Sequence, residues 1–144
     1  MNTATEGKPQ RVLLDTNVVV SALVFGGKPG YILTLLLEKK FHVISSPILF
    51  AEIENVINKK FPLSGEDLRL FRKQTQKTFE IVNPKKTISL LKDDADNRVL
   101  EAAVEGTCQY IITGDKELLS LGEFKGIKIV KVAEFLDISY KKTE

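Results

Sequence analysis

The sequence contains few residues that could form covalent or zinc cross-links. It has one cysteine, one histidine and no tryptophan. A lone cysteine cannot form an intramolecular disulfide, which is typical of a reducing compartment, and Cys108 lies in the apolar run CQYIIT, so we predict a buried thiol. His42 has no second histidine or cysteine with which to complete a zinc site. These absences exclude a disulfide scaffold and a conventional structural zinc site.

Long hydrophobic runs and strong net charge are also absent. No apolar run approaches the ~18 residues of a membrane span, and the polar start MNTATEGKPQ lacks the apolar stretch of a signal peptide. We therefore expect a cytoplasmic protein. The net charge of +2 is too small to indicate a partner, so the positions of the charges carry more information.

The length of 144 residues suits one folded domain. Apolar runs at 11–15, 41–45, 108–113 and 126–130 predict strands. Helical patterns alternate with these strands and predict helices at 16–24, 29–40, 48–60, 64 to about 82, 96–106, 115–121 and 132–137. This alternation predicts an α/β fold, a three-layer sandwich whose central, mostly parallel sheet is flanked by helices. We expect a flexible tail at 1–10, a single domain at 11–138 and a C-terminal tail at 139–144.

Two aspartates follow predicted strands directly. Asp15 ends the first apolar run, and Asp115 follows CQYIIT in the sequence TGD. Because the carboxyl ends of parallel strands meet at one edge of a sheet, we expect both side chains at that edge. The alternative for each is that it only caps the following helix.

Two further acids lie on predicted helices in positions that face inward. At about 100° per residue, Glu52 falls on the border of an apolar face that includes Leu49 and Ile53. Asp96 lies one turn before the apolar face of its own helix and in line with the middle of that face, whereas Asp94 points elsewhere. The alternatives are a partly exposed helix carboxylate for Glu52 and a first-turn charge that favours the helix dipole for Asp96.

Four carboxylates directed at one crevice would repel each other unless a cation neutralises them. Oxygen ligands without histidine or cysteine suit Mg²⁺ or Mn²⁺ rather than zinc. Such a cluster supports phosphodiester hydrolysis, because a bound metal polarises the phosphate and lowers the pKa of a bound water. This hypothesis requires Asp15, Glu52, Asp96 and Asp115 to meet in space.

Four motifs in this order resemble the PIN domain (PilT N-terminus) family, and in particular the VapC-like toxins of type II toxin-antitoxin pairs. The motifs are LLDTNVVVSAL, SPILFAEI, DADNRVLEAA and YIITGDKELL, and the resemblance extends from residue 11 to about residue 137. It implies a Mg²⁺- or Mn²⁺-dependent endoribonuclease that acts as a toxin, with an antitoxin protein and a second copy of the chain as partners.

The resemblance also implies roles for individual residues. The family's catalytic and metal-binding acids fall on Asp15, Glu52, Asp96 and Asp115. Relatives often carry a further acid where this chain has Ala95, so Asp93 or Asp94 is an alternative metal ligand. The groups implied to hold the ligands or water are Thr16, Asn17, Asn97 and Thr113.

A basic stripe on the predicted helix after residue 64 is a candidate RNA-binding surface, since phosphate contacts position a strand without reading its sequence. The alternative is an ordinary solvated helix face. The residues of this candidate surface are Arg69, Arg72, Lys73 and Lys77, with Lys116 beside Asp115 and with Lys59, Lys60, Lys85 and Lys86 as extensions.

Residues 29–40 carry apolar side chains around more of the predicted helix than one core face requires. This pattern favours a homodimer, with complete burial between neighbouring helices as the alternative. The alternative to the enzyme is a catalytically silent PIN-like module that binds RNA or protein. A phosphatase of the haloacid-dehalogenase type is disfavoured because Asn17 stands where that class needs a second acid.

Overall fold

The structure is a computed structural model that describes residues 10–24, 27–38, 40–60 and 64–143. These residues form six strands and seven helices. In chain order they are β1 (Gln10–Leu14), α1 (Thr16–Val24), α2 (Gly27–Leu37), β2 (Phe41–Ser45), α3 (Pro47–Lys60), α4 (Gly65–Thr78), β3 (Phe79–Ile81), α5 (Asp94–Glu105), β4 (Tyr110–Ile112), α6 (Lys116–Leu121), β5 (Glu123–Phe124), β6 (Ile127–Val130) and α7 (Val132–Thr143).

The strands form one sheet in the order β3-β2-β1-β4-β6-β5. Every neighbouring pair is parallel except β5 and β6, which are antiparallel. Strand β1 is central and pairs with β2 on one side and β4 on the other. The predicted α/β fold with a mostly parallel sheet is confirmed.

The two faces of the sheet are covered by different helices, as the alternation of side chains along each strand requires. Val12 and Leu14 of β1 lie in one hydrophobic cluster, together with residues of α1, α2, α3 and α7. Leu13, between them in sequence, lies in a second cluster with residues of α5 and α6, among them Leu100 and Leu118. The core therefore has three layers, and α5 crosses one face of the sheet.

Strand β3 occupies residues for which the sequence predicted a helix. The helix that was expected to reach about residue 82 ends at Thr78. Phe79 then pairs with Val43 of β2 and is buried, and Glu80 points outward. The open edge of β2 provides hydrogen-bonding partners that outweigh the helical pattern, and TFEIV is rich in residues that favour strands.

The C-terminal helix is longer than predicted, because α7 continues past residue 137 to Thr143. Residues 1–9 of the expected N-terminal tail lie outside the described residues, and the proposed division into tails and domain stays a prediction. Of the predicted dimer helix, Ile32 is fully buried, whereas the side chains of Leu33, Leu36 and Leu37 lie outside the described set. Within the described ranges, no helix combines the length and apolarity needed to cross a membrane.

Helix α5 ends at Gly106 as predicted, but for a reason other than backbone freedom. The φ of Gly106 is −80°, and the left-handed position belongs to Thr107, whose φ is 49°. A Cβ on Gly106 would lie 2.5 Å from Cγ2 of Ile44. Glycine is therefore needed here because the end of α5 packs closely against β2.

Candidate active site

Asp15 is held by the main chain at the carboxyl edge of the sheet. Its N–H donates to the carbonyl oxygen of Ile112 at 3.0 Å, which extends the pairing of β1 with β4. Its own carbonyl accepts from the N–H groups of Val18 and Val19 at 3.0 and 3.1 Å, which begins α1. The apolar runs on both sides of Asp15 therefore form a strand and a helix that fix its position.

Thr113 connects Asp15 to Asp115. This side chain is only 1% exposed. Its hydroxyl donates to Oδ2 of Asp15 at 2.8 Å and accepts from the N–H of Asp115 at 3.0 Å. The two predicted metal ligands at the ends of β1 and β4 are thus held in a fixed relation by one buried side chain.

Asp115 caps α6, which is the structural role that the sequence left open for it. Oδ1 of Asp115 accepts from the N–H groups of Glu117 and Leu118 at 2.9 and 3.1 Å. Both bonds use the same oxygen, so capping does not occupy the whole carboxylate. Capping therefore fixes the orientation of Asp115 and remains compatible with a second role.

Asp96 is the most unusual acid of the site. It is 7% exposed, and its Oδ2 has no hydrogen-bond partner among the described residues. Burial raises the pKa of Asp96 to about 7, with further contributions from the charges of Asp115, Asp93, Asp15 and Glu117. An unsatisfied buried oxygen costs about 1–3 kcal/mol. A cation at this position would satisfy it.

Three carboxylates lie close enough to share such a cation. One oxygen from each of Asp96, Asp115 and Glu117 lies within 4.8 Å of the others. Asp15 lies outside this group but borders the same cavity of about 580 Å³, whose lining residues are Asp15, Asn17, Gly114, Asp115, Lys116 and Glu117. Burial also raises the pKa of Asp15, against the lowering effect of the hydrogen bond from Thr113.

Glu117 is a member of this cluster that the sequence analysis missed. It lies in the first turn of α6, where a carboxylate is ordinarily explained by the helix dipole. Its Oε1 also accepts from the N–H of Lys92 at 3.2 Å, so it connects α6 to the segment before α5. The available signal was its position two residues after Asp115, which directs it toward the same edge of the sheet.

The neighbouring aspartates of α5 differ in their surroundings. Asp93 caps α5 by accepting from the N–H of Ala95 at 3.0 Å, and its charge raises the pKa values of both Asp15 and Asp96. Asp94 instead accepts from Nδ2 of Asn97 at 3.3 Å and lies 3.5 Å from Nη2 of Arg98. Of the two alternative ligands, Asp93 is therefore the one whose charge acts on the site.

The predicted supporting residues Asn97, Asn17 and Thr16 differ in what they contact. Asn97 is 2% exposed, and its Oδ1 accepts from the N–H groups of Leu90 and Leu91 at 3.1 and 2.8 Å. It therefore fastens the loop before α5. Asn17 is exposed and lines the cavity, so it faces the space that a substrate would enter. Thr16 is buried, and its N–H donates to Asp15.

Glu52 is not brought into the three-acid group. It is half-buried on α3, and it is neither among the three close acids nor among the residues that line the cavity. Its role as the fourth ligand stays a prediction, as do the catalytic roles of the other three predicted acids.

The candidate RNA-binding residues fall into two groups. Arg72 is engaged with Glu54, with Nε and Nη2 at 3.0 and 2.7 Å from Oε2, and Arg69 lies 3.8 Å from Glu66. Lys73 and Lys77 are exposed on the same helix. Lys116 is exposed and is the candidate RNA-binding residue that lines the acidic cavity.

Comparisons with known proteins agree with this fold. A family model described as PIN domain matches residues 11–117, which include all four predicted acids and Glu117. The uncharacterised protein MJ1680 of Methanocaldococcus jannaschii is 36% identical over 125 residues, which are 83% of this chain and 80% of that protein.

Two solved structures are similar in fold. One is VapBC2 from Rickettsia felis bound to a DNA fragment from their promoter, with a TM-score of 0.58 and 16% identity over 85% of this chain and 98% of that chain. The other is PAE2754 from Pyrobaculum aerophilum, with a TM-score of 0.58 and 14% identity over 97% of this chain and 96% of that chain. At these identities the similarity concerns the fold alone.

Proposed function

The chain belongs to the PIN domain family, and on this premise we propose that it is a Mg²⁺- or Mn²⁺-dependent endoribonuclease. The observation that carries the proposal is the buried Oδ2 of Asp96, which has no partner among the described residues and belongs to a group of three converging carboxylates. Hard divalent cations prefer such oxygen ligands, and the cluster contains no histidine or cysteine.

The residues that would hold the cation are Asp96, Asp115 and Glu117, with Asp15 at the wall of the same cavity. A bound Mg²⁺ or Mn²⁺ supplies Lewis-acid activation of the phosphodiester and of a water molecule. Thr113 and the main chain around Asp15 keep these acids in place before any ligand arrives, which limits the reorganisation needed for binding. Glu52 is not among the three close acids or the cavity lining, and its role as a ligand stays a prediction.

The substrate surface that we propose is narrower than the sequence suggested. Lys116 at the cavity, with Lys73 and Lys77 on α4, is available for phosphate contacts. Arg72 would first have to leave Glu54, so we expect it to contribute less. RNA as the substrate, the role as a toxin held by an antitoxin, homodimerisation and a cytoplasmic location are proposals supported by the family and by the fold shared with VapBC2.

Cleavage of RNA with and without metal tests the reaction. The purified protein is incubated with a mixed-sequence RNA in Mn²⁺ or Mg²⁺, with EDTA and the Asp15→Asn variant as controls. We expect cleavage in metal only, and strong loss of it in the variant. Equal cleavage with EDTA or in the variant would contradict the proposed mechanism.

Thermal melting tests the metal site separately from the reaction. Mg²⁺ or Mn²⁺ at about 100 times its dissociation constant should add ~2.7 kcal/mol to the free energy of unfolding. The Asp96→Asn variant should lose this effect, and Asp67→Asn, an exposed acid on α4, is the matched control that should keep it. A metal-dependent shift without RNA cleavage would favour a catalytically silent binding module, and no shift would remove the metal site.

A further inference from the structure

A second cavity lies at the opposite end of α5 from the acids. Its volume is about 330 Å³, within the range of ligand pockets. Glu105 lies nine positions after Asp96 on α5, which is ~13.5 Å at the rise of an α-helix. The residues that line this cavity, called here the basic cavity, are Lys85, Lys86, Ile88, Glu101, Val104, Glu105, Thr107 and Lys125.

The charges of the basic cavity favour an anion. Three exposed lysines line it, and its two acids already have partners. Glu101 accepts from the N–H of Ile88 at 2.8 Å and pairs with Arg98 at 2.8 Å. Glu105 accepts from the N–H of Lys85 at 3.0 Å. Three lysines therefore line the cavity against two glutamates, and Arg98, which Glu101 shares with Asp94, adds a cation beside them.

The same hydrogen bonds hold the cavity wall in position. Glu101 and Glu105 are one helical turn apart and fasten the extended segment that carries Lys85, Lys86 and Ile88. The backbone that carries Lys85 and Lys86 is therefore attached to α5, whereas Lys125 lies in the turn between β5 and β6. Ile88 and Val104 add a half-buried apolar surface between the charged groups.

Backbone strain is concentrated at this cavity. Among the described residues, the non-glycine residues with positive φ are Thr107 at 49° and Lys125 at 51°. Both line the basic cavity. Left-handed conformations are unfavourable for non-glycine residues, and such strain clusters at functional sites, ligand clamps among them. A glycine at either position would have removed the strain, but in place of Lys125 it would also have removed a cation from the cavity.

We propose that the basic cavity binds a nucleotide unit, with its phosphate held by Lys85, Lys86 and Lys125 and its base or sugar against Ile88 and Val104. A phosphate matches the cluster of lysines, and a planar base matches the apolar surface beside it. The unit is either a free mononucleotide or one nucleotide of a bound RNA strand. This site does not depend on the proposed reaction, because it lies apart from the acids.

Binding is measured in EDTA, and all lysine substitutions are made in the Asp15→Asn variant. Cleavage and metal binding at the acidic site are then suppressed, so the measured affinity reports on the basic cavity. Adenosine monophosphate and a short single-stranded RNA are titrated in parallel by calorimetry or fluorescence anisotropy. The test variants are Lys85→Gln with Lys86→Gln, and Lys125→Gln. Lys40→Gln is the matched control, since Lys40 is an exposed lysine outside the cavity.

We expect each test variant to weaken binding about tenfold or more, as for loss of a charge-assisted contact, and Lys40→Gln to have little effect. Weakened binding of adenosine monophosphate identifies a free nucleotide as a sufficient ligand, and weakened binding of RNA alone identifies a strand. Affinities for both probes that are unmeasurable, or that are unchanged in all lysine variants, would overturn the proposal.

Discussion

The two ends of α5 differ in whether their charged side chains are paired. At its first turn, Asp96 is 7% exposed, has an oxygen with no hydrogen-bond partner in the described part of the chain, and lies near further acids. Beyond its last turn, Arg11 donates from Nε to the carbonyl of Gly106 at 2.7 Å and pairs with Glu80. There the hydrogen bond from Arg11 lowers the pKa of Glu80, and the two opposite charges neutralise each other.

We interpret the ion pair at the C-terminal end of α5 as structural and the acids at its N-terminal end as functional. The cation near the C-terminus of α5 complements the helix dipole and a neighbouring strand, so it contributes to the fold. The acids at the N-terminal end repel each other, and burial without a counter-charge costs stability. Perturbed pKa values of this kind cluster at functional sites, and the acidic end is where we place the reaction.

The largest expected difference between the two ends is in activity. Asp96→Asn should lower RNA cleavage by about 100-fold or more, since even indirect partners of metal ligands change activity 10–100-fold. Glu80→Gln is the matched amide substitution at the other end and should leave cleavage within about twofold. Initial cleavage rates in Mn²⁺ measure both, and comparable losses in the two variants would remove the distinction.

The pH dependence of stability should have opposite signs at the two ends. The pKa of Asp96 is about 7 in the folded state, and that of an unfolded aspartate is ~3.9. At a pH between these two values, the metal-free folded state therefore binds more protons than the unfolded state. The free energy of unfolding should therefore fall as the pH rises from ~4 to about 7, by up to ~1.4 kcal/mol per unit from this group. The lowered pKa of Glu80 contributes stability above ~4.3 that is lost as the pH falls through the folded value.

Urea unfolding in EDTA between pH 4 and pH 8 measures this slope. Asp96→Asn should flatten it, and saturating Mn²⁺ should reduce it in the unsubstituted protein because metal replaces the proton. A stability that does not change between pH 5 and pH 7 in EDTA would show that Asp96 is not buried as described.

Packing at the C-terminal end of α5 gives a third difference. Gly106→Ala should lower the free energy of unfolding by about 1–3 kcal/mol, because the new Cβ would lie 2.5 Å from Cγ2 of Ile44. Gly114→Ala at the acidic end is the control, since a Cβ there would meet nothing within 4 Å. Unfolding in denaturant measures both variants. If Gly106→Ala left the free energy of unfolding unchanged, α5 and β2 would have to move apart at no cost.

The smallest expected effect is on the ion pair itself. Glu80→Gln should lower the free energy of unfolding by no more than about 1 kcal/mol near neutral pH, because the Glu80 side chain is 48% exposed and solvent screens the pair. Added salt should reduce this difference further. A loss of several kcal/mol would mean that Arg11 needs Glu80 to hold the end of α5.

Much of the fold follows from local patterns in the sequence. Helix α1 and strand β2 have the predicted bounds, and α4 begins next to the predicted residue 64, where Ser64 caps it through the N–H of Asp67. Strand β3 was missed because its pairing with β2 brings together residues about 36 positions apart, such as Val43 and Phe79. Periodicity within a segment cannot report an unpaired edge elsewhere in the chain.

The candidate site divides in the same way. Asp15 and Asp115 follow strands, and the inward direction of Asp96 follows from the helical period, so their placement at one edge could be predicted. Glu117 resembled an ordinary first-turn acid until the structure placed its carboxylate near those of Asp96 and Asp115. Arg72 resembled a free cation in the sequence, but in the structure Arg72 on α4 forms an ion pair with Glu54 on α3.

By itself the sequence determined the order of the elements, the family motifs and the acids that end strands, because these depend on neighbours within a few residues. Only the tertiary structure decided that Oδ2 of Asp96 is buried with no partner among the described residues, while Arg11 and Glu80 form an ion pair at the far end of α5. Burial and charge compensation depend on which distant segments pack together. The raised pKa of Asp96 is therefore a property of the assembled site and not of any single motif.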